Sequence, residues 1–384
     1  MNVQPAAGFP GAGSRTSLEH CLEMYKGRRV LLSGHTGFKG SWLAMWLAGL
    51  GADVLGLSLD PPGTPSMYAT LRLNDLVAER RTDIRDFAAL HGVMRDFAPE
   101  IVLHLAALAL VRPSYADPLA TLNTNVMGTA NILEACRLTP SVRSVVIVTS
   151  DKCYRNNEWV WGYRENDPMG GHDPYSASKG CAELVTASFI ASFFPAAEYG
   201  RKHHVAVASV RAGNAVGGGD WGEDRLVPDC MRALHEGRPV RIRYPSAVRP
   251  WQHVLECAAG YLMLGAALLE FGPRFAGPWN LAPIDMGDIW PVQRLVEELC
   301  RLWGGGSCET EGAEQPHEAH MLCLDCTKAT IELGWRPRLR TAQALRETAA
   351  WYRAWSDDPS PEHMRDVTRR QIRDYMRSNA DPES

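Results

Sequence analysis

Residues 28–60 read RRVLLSGHTGFKGSWLAMWLAGLGADVLGLSLD. A short apolar run, 30–32, lies between basic residues and a glycine loop, Gly34-His35-Thr36-Gly37-Phe38-Lys39-Gly40. An apolar run of helical length, 42–50, follows; Gly51 stops it, and 54–59 reads as a second buried strand ending at Asp60. Strand, glycine turn, helix and strand make one βαβ unit. Gly34, Gly37 and Gly40 let the backbone turn tightly and approach a pyrophosphate, with Thr36 and Phe38 carried in the same loop. The helix start points unpaired N–H groups and its positive dipole end at that charge. Asp60 stands twenty residues beyond Gly40, where a carboxylate accepts hydrogen bonds from an adenosine ribose. A glycine triplet alone is weak evidence. Here strand, helix and acid all fall where dinucleotide binding needs them, which favours that reading over a plain turn.

Working outward, 384 residues exceed what one core usually fills, so two lobes are expected. The series of buried strands and helices predicts an α/β fold: a Rossmann-type doubly wound parallel sheet with a smaller, mostly C-terminal substrate-binding lobe. The cofactor domain is placed at 26–212, with 250–282 returning to it, and the lobe at 213–249 and 283–384. Residues 1–25, opening MNVQPAAGFPGAGSRTS, read as a disordered arm without the basic head and apolar core of a secretory signal. A formal charge of −4 gives no sign of a nucleic-acid partner. No window reads as an uninterrupted membrane span. Ten cysteines without framework spacing fit a reduced, cytoplasmic protein. Cys323-Leu324-Asp325-Cys326, near Cys308, His317 and His320, lacks the second well-spaced pair of a zinc site. His317-Glu318-Ala319-His320 is one residue short of metalloprotease spacing. The alternation of Leu322 and Leu324 with Cys323 favours a strand with Asp325 as a helix N-cap, so no metal is expected.

Further along, Asp83 and Ile84 are placed to touch an adenine, although an N-cap with a core residue reads equally well. Residues 101–107, IVLHLAA, form a third strand running into Leu105, Ala106 and Ala107, where small side chains let a cofactor lie against backbone. Residues 123–136 read as one long helix, with Asn125 facing either a neighbouring strand or the site. Residues 145–149 are a strand with Ser150-Asp151-Lys152 at its C-terminal end, where ligands bind in open α/β sheets. The bland alternative is a capped turn with a surface lysine. Tyr175 and Lys179 are four apart and share a helical face. That spacing predicts that the ammonium lowers the phenol's pKa, so that Tyr175 can act as a base. A strand at 205–210 precedes the glycine-rich stretch holding Asn214, Asp220 and Trp221, a hinge into a lobe that grips a ligand. Arg225, Arg243 and Arg249 suit a diphosphate, because guanidinium forks pair with phosphate oxygens. Taken singly, each is more often a surface charge. Arginines at helical spacing between 365 and 377, with Ile372 and Met376 on another face, read as a solvated helix.

The glycine loop, strand-end Ser150 and Tyr175-x-x-x-Lys179 resemble an extended short-chain dehydrogenase/reductase. Within that superfamily the chain is similar to the CDP-glucose 4,6-dehydratases, through SGHTGFKGSWL, DPPGTPSMY, TSDKCYRN, WGYRENDPMGG, DPYSASKGCAELV, RPWQHVLE, PHEAHMLCLD and LGWRPRL. These motifs cover nearly the whole chain. Related dTDP-glucose dehydratases carry Asp-Glu where this chain has Asp151-Lys152. The resemblance implies a tightly held NAD, a nucleotide-sugar substrate such as CDP-glucose, and a homodimer or homotetramer. It implies that hydride leaves C4 as Tyr175 takes the 4-hydroxyl proton, that C5–H and the 6-hydroxyl are lost, and that the hydride returns to C6. Ser150 would bond the 4-oxygen, Lys179 the nicotinamide ribose, and Asp151 would protonate the leaving hydroxyl. Lys152 would either take the C5 proton as a neutral amine or only position Asp151. Arg112, Asn214, Asp220, Trp221, Arg225, Arg243, Arg249 and His253 would meet the substrate. The family reads H-L-A-A-Q-P-L-V-R, whereas this chain has Leu108 and Ala109 in place of Gln-Pro, which bears on the sugar accepted. Two rivals remain. A nucleotide-sugar 4-epimerase would share Tyr175 and Lys179 but has no use for Asp151-Lys152; a non-catalytic NAD-binding sensor needs only the glycine loop.

Overall fold

Continuous rather than alternating apolar runs mark strands covered on both faces, and inner strands of this chain's seven-stranded sheet are of that kind, while its 78–81 edge strand, AERR, is mostly exposed. The computed structural model describes residues 17–61, 63–283, 288, 290–310 and 322–378. The strands are β1 (Arg29–Ser33), β2 (Asp53–Ser58), β3 (Ala78–Arg81), β4 (Ile101–His104), β5 (Ser144–Val148), β6 (Ala206–Ala212) and β7 (Gly277–Leu281). They form one sheet in the order β7-β6-β5-β4-β1-β2-β3, and every neighbouring pair is parallel. The order runs outward in both directions from β1 and β4, so a crevice opens beyond their C-terminal ends.

Successive side chains leave the sheet on opposite faces. Leu31, Val102, Val145 and Ile147 meet Leu90 of α3 (Phe87–Phe97) and Ile132 and Leu133 of α4 (Gly128–Leu138). Val30, Leu32, Leu103 and Val146 join the larger core with Trp42 and Trp46 of α2 (Phe38–Gly49). That core also takes α6 (Val254–Phe271), whose residues from Val254 to Leu268 are all buried. Between α4 and α6 in the chain lies α5 (Pro174–Phe193), capped by Asp173, which accepts from Ser176 N at 2.9 Å.

Four expectations are corrected. Order begins before Lys26: Ser17 caps α1 (Leu18–Glu23), Leu18, Cys21 and Leu22 are buried, and Tyr25 donates to Leu262 O at 2.8 Å. Residues 1–16 lie outside the described residues, as does the His317–His320 motif. Two helical stretches, Pro174–Glu198 and Val254–Phe275, do match a membrane span in length and composition. The second is apolar on every side because it lies buried in the core of the fold. Residues 123–136 are not one regular helix, since a π-turn over Asn123–Met127 precedes α4. The arginine-bearing helix, α8 (Pro361–Arg377), buries Met364, Val367, Ile372 and Tyr375, and Tyr375 meets Trp46 edge-on at 5.8 Å. Helix α7 (Thr341–Asp357) ties to it through Trp351 Nε1, which donates to Thr368 at 3.0 Å. The C-terminal helices therefore lean on α2.

Candidate active site

The glycine turn is built by close approach. Gly34 holds φ +79°, and a Cβ there would lie 2.7 Å from Ala106 N. A Cβ on Gly40 would sit 2.0 Å from Gly34 O, so only glycine lets α2 start against the turn. Gly37 caps α2 with no side chain closing its first turn, which leaves those N–H groups for an anion. Thr36 Oγ1 donates to Leu59 O at 3.1 Å, holding the turn to the end of β2. The Phe38 ring reaches Gly217, where an added Cβ would lie 3.2 Å from Cζ. Ser33 Oγ accepts from Leu105 N at 3.1 Å and Ala106 N at 3.2 Å, which draws 105–107 onto the end of β1. Asp60 projects into solvent and pairs with Arg81. Asp83 is held by Arg85 at 2.6 Å, and Ile84 is buried against Gly128. These residues fit a dinucleotide: the turn is open at a helix start that no side chain caps, and Gly34 and Gly40 are packed against backbone.

Beyond β5 the polar side chains converge. Ser150 Oγ donates to Asp151 Oδ1 at 2.9 Å and accepts from Lys152 N at 3.2 Å. Asp151 is buried, and burial pushes its carboxyl up, although the Lys152 charge and the Ser150 hydroxyl oppose this. Gly213, after β6, abuts the same carboxylate. Lys179 Nζ donates to Val148 O at 3.3 Å. Burial, with repulsion from Lys39, pulls its pKa down to about 8. Tyr175 is buried, and burial pushes its phenol up to about 12, while the Ser150 hydroxyl and the Arg225 charge pull the other way. The lowered phenol predicted from the four-residue spacing is thus corrected: desolvation outweighs the neighbouring cations.

The predicted substrate residues divide. Arg225 pairs with buried Asp220 at 2.9 Å, close enough to Tyr175 to act on its proton. Arg112 Nη1 and Arg243 Nη2 meet on Asp224 Oδ1 at 3.0 and 2.7 Å, which brings two distant segments together. Asn214 accepts from Gln252 N through its backbone at 3.0 Å. Arg249 donates to Val248 O at 2.8 Å. Trp221 packs edge-on against Tyr352 and beside Trp355. His253 is corrected: it is fully buried, caps α6, and meets Trp42 edge-on at 5.8 Å, with burial holding its pKa near about 3. In this structure it is a core residue, not a ligand contact.

Two neighbours, Glu183 and Arg211, were not singled out from the sequence. Glu183, one turn beyond Lys179, accepts from Ser209 at 2.7 Å and Arg211 at 2.8 Å and bonds Thr149 at 2.5 Å. Arg211 also donates to the Tyr154 hydroxyl at 2.7 Å, so one buried ion pair braces both ends of the Ser150-Asp151-Lys152 turn. The legible signal was a glutamate on the Tyr175–Lys179 stripe. Asn125 clamps the 108 position, accepting from Leu108 N at 2.8 Å and donating to Leu108 O at 3.0 Å and Ser178 Oγ at 2.8 Å. Leu108 itself is exposed.

Comparison with known proteins agrees with this geometry. The NAD dependent epimerase/dehydratase family profile matches residues 30–270. A CDP-glucose 4,6-dehydratase of Salmonella typhimurium is 49% identical over 353 residues, covering 92% of this chain and 97% of that one. A dTDP-glucose 4,6-dehydratase of Streptomyces griseus is 30% identical, over 85% of this chain and 95% of its own. Among solved structures, a dTDP-glucose 4,6-dehydratase from Streptomyces venezuelae with NAD and TYD bound superposes with a TM-score of 0.72 at 25% identity, covering 85% of this chain and 97% of that one.

Proposed function

The chain belongs to the NAD dependent epimerase/dehydratase family, and from that premise we propose that it converts CDP-glucose to CDP-4-keto-6-deoxyglucose as an NAD-dependent carbon–oxygen lyase. The observation that carries this reading is the buried Asp151 carboxyl, held by Ser150 beside Tyr175 with its pKa raised by burial. A carboxyl whose neutral form is favoured by burial, at the C-terminal end of β5, can release a hydroxyl as water. An epimerase has no step for it.

The hydride chemistry is supplied by NAD, bound on the turn of Gly34, Thr36, Gly37, Phe38 and Gly40. Tyr175 takes the 4-hydroxyl proton, aided by the positive charge of Arg225, while Ser150 donates to the developing 4-keto oxygen. The ketone acidifies C5–H, and a base of the same cluster removes that proton. Asp151 protonates the departing 6-hydroxyl, so one water leaves; the hydrogen lost from C4 reduces C6, and C5 regains a proton from the same base. Lys152 acts on Asp151 through its charge, Lys179 steadies the turn after β5, and Arg112, Arg225 and Arg243 meet the diphosphate. The exposed Tyr115, Leu119 and Leu184, on neighbouring helices, support a homo-oligomer, and ten free thiols support a cytoplasmic protein.

The test is to incubate the protein, without added reductant, with CDP-, dTDP-, UDP- and GDP-glucose and to weigh the products. Loss of one water from CDP-glucose alone is expected. Loss only from another sugar contradicts the base preference, and no loss at all contradicts the reaction.

A further inference from the structure

Asp60 stands at the end of β2 with its carboxylate 88% exposed. Arg81 closes the neighbouring strand β3, and its Nε donates to Asp60 Oδ1 at 2.9 Å. The same guanidinium is fixed from behind. Nη2 donates to Tyr68 Oη at 2.9 Å and lies 3.2 Å from Glu79 Oε1, and its carbon stacks 5.1 Å from the Tyr68 ring. Tyr68 donates to Glu79 Oε2 at 2.8 Å, and His35, inside the glycine turn, bonds the same oxygen at 3.1 Å. Turn, β2 and β3 are thereby joined by one polar cluster in which two carboxylates face one guanidinium.

The chemistry of each partner bears on the cofactor. A carboxylate at this strand end accepts from a ribose 2′-hydroxyl, whereas a free arginine accommodates a 2′-phosphate. The guanidinium fork would suit that phosphate, but here its donors are already engaged by Asp60, Tyr68 and Glu79. Among Asp60, Glu79 and Arg81 the charge is negative overall, so a phosphate dianion meets repulsion.

We propose that the Asp60–Arg81 pair is a selectivity lock for the adenosine 2′-position: Arg81 holds the Asp60 carboxylate toward the ribose hydroxyls of NAD, and Asp60 in turn keeps Arg81 from pairing with the 2′-phosphate of NADP. Arg81 is a positioning residue in this scheme, outside every motif that marks the cofactor turn. The inference rests on the glycine turn being the NAD site.

The test reads binding rather than turnover. The full chain is dialysed to equilibrium against NAD or NADP, and bound nucleotide is released by acid and counted. Asp60→Ala is expected to weaken NAD about tenfold or more, by loss of a charged hydrogen-bond acceptor. It should strengthen NADP by a similar factor, because Arg81 becomes free to pair with phosphate. Adding Arg81→Gln to Asp60→Ala should remove the gain for NADP and leave NAD at the level of the single variant. Asp60 lies almost wholly in solvent, and an unchanged thermal midpoint confirms that the fold is intact. An unmoved NAD-to-NADP ratio in Asp60→Ala, or an NADP gain that survives in the double variant, overturns the lock. Failure of the unaltered chain to bind either dinucleotide would overturn the NAD reading beneath it, and the lock with it.

Discussion

At the scale of single residues, position in sequence and position in dielectric give different answers. Tyr175 and Lys179 share a helical face as their spacing requires, yet both are buried and each resists its own charge. Burial is a property of the surrounding fold, so spacing alone could not show that Tyr175 sits with a pKa of about 12. Replacing Tyr175 with Phe removes this group and little else. That variant is expected to retain NAD while its turnover falls by roughly 10²–10⁴-fold, the span typical of a lost general base. Assays of bound nucleotide beside steady-state rates check it, and undiminished turnover would remove Tyr175 from the chemistry. His253 carries the same lesson: its motif was legible, but its complete burial against Trp42 was not.

Elements were the most legible scale, because periodicity and glycine placement are local. The βαβ unit at residues 28–60 matches the observed β1, α2 and β2, and Gly40 carries its tightest contact. Gly40→Ala would drive a methyl to 2.0 Å from Gly34 O. Loss of dinucleotide binding and a destabilisation of at least ~2 kcal/mol are expected, to be read from nucleotide content and urea unfolding. Wild-type binding in that variant would mean that the turn can move aside. Contacts between elements far apart in the chain were illegible. Glu256, on the first turn of α6, accepts from Arg338 N at 2.9 Å and Leu339 N at 2.7 Å, and bonds the Tyr375 hydroxyl at 2.7 Å. Burial raises its pKa to about 7 from 4.5. A folded-state pKa above the unfolded value adds stability that is full below pH ~4.5 and is lost as pH rises through ~7. Glu256→Gln removes that dependence. The variant should gain on the parent by up to roughly 3 kcal/mol between pH 5 and pH 8, as measured by urea midpoints. An equal difference at both pH values would contradict the buried charge.

Across the whole molecule, the alternation of strands and helices made the doubly wound sheet readable, since parallel strands need crossovers and so announce their order. The boundaries of the lobes were less readable. Composition made residues 1–25 look unstructured, but Leu18, Cys21 and Leu22 recur at helical spacing and find cover on α6, which lies far along the chain. Helix α8 likewise carries its arginines on one side and a buried stripe on the other. Arg365 from that helix donates to Leu71 O at 2.6 Å and Arg72 O at 2.7 Å, tying the C-terminus to the segment beside Asp60. The same wholeness brings Arg112 and Arg243 to one carboxylate, and it places a buried acid, a tyrosine and a glycine turn around one crevice. That arrangement makes the central claim an internal one: the hydrogen removed at C4 is the hydrogen delivered to C6. CDP-glucose carrying deuterium at C4 tests it directly in ordinary water with no added reductant. The expected product is lighter by one water and keeps the deuterium at C6; intact sugar, or product whose deuterium has been lost to solvent, would overturn internal transfer.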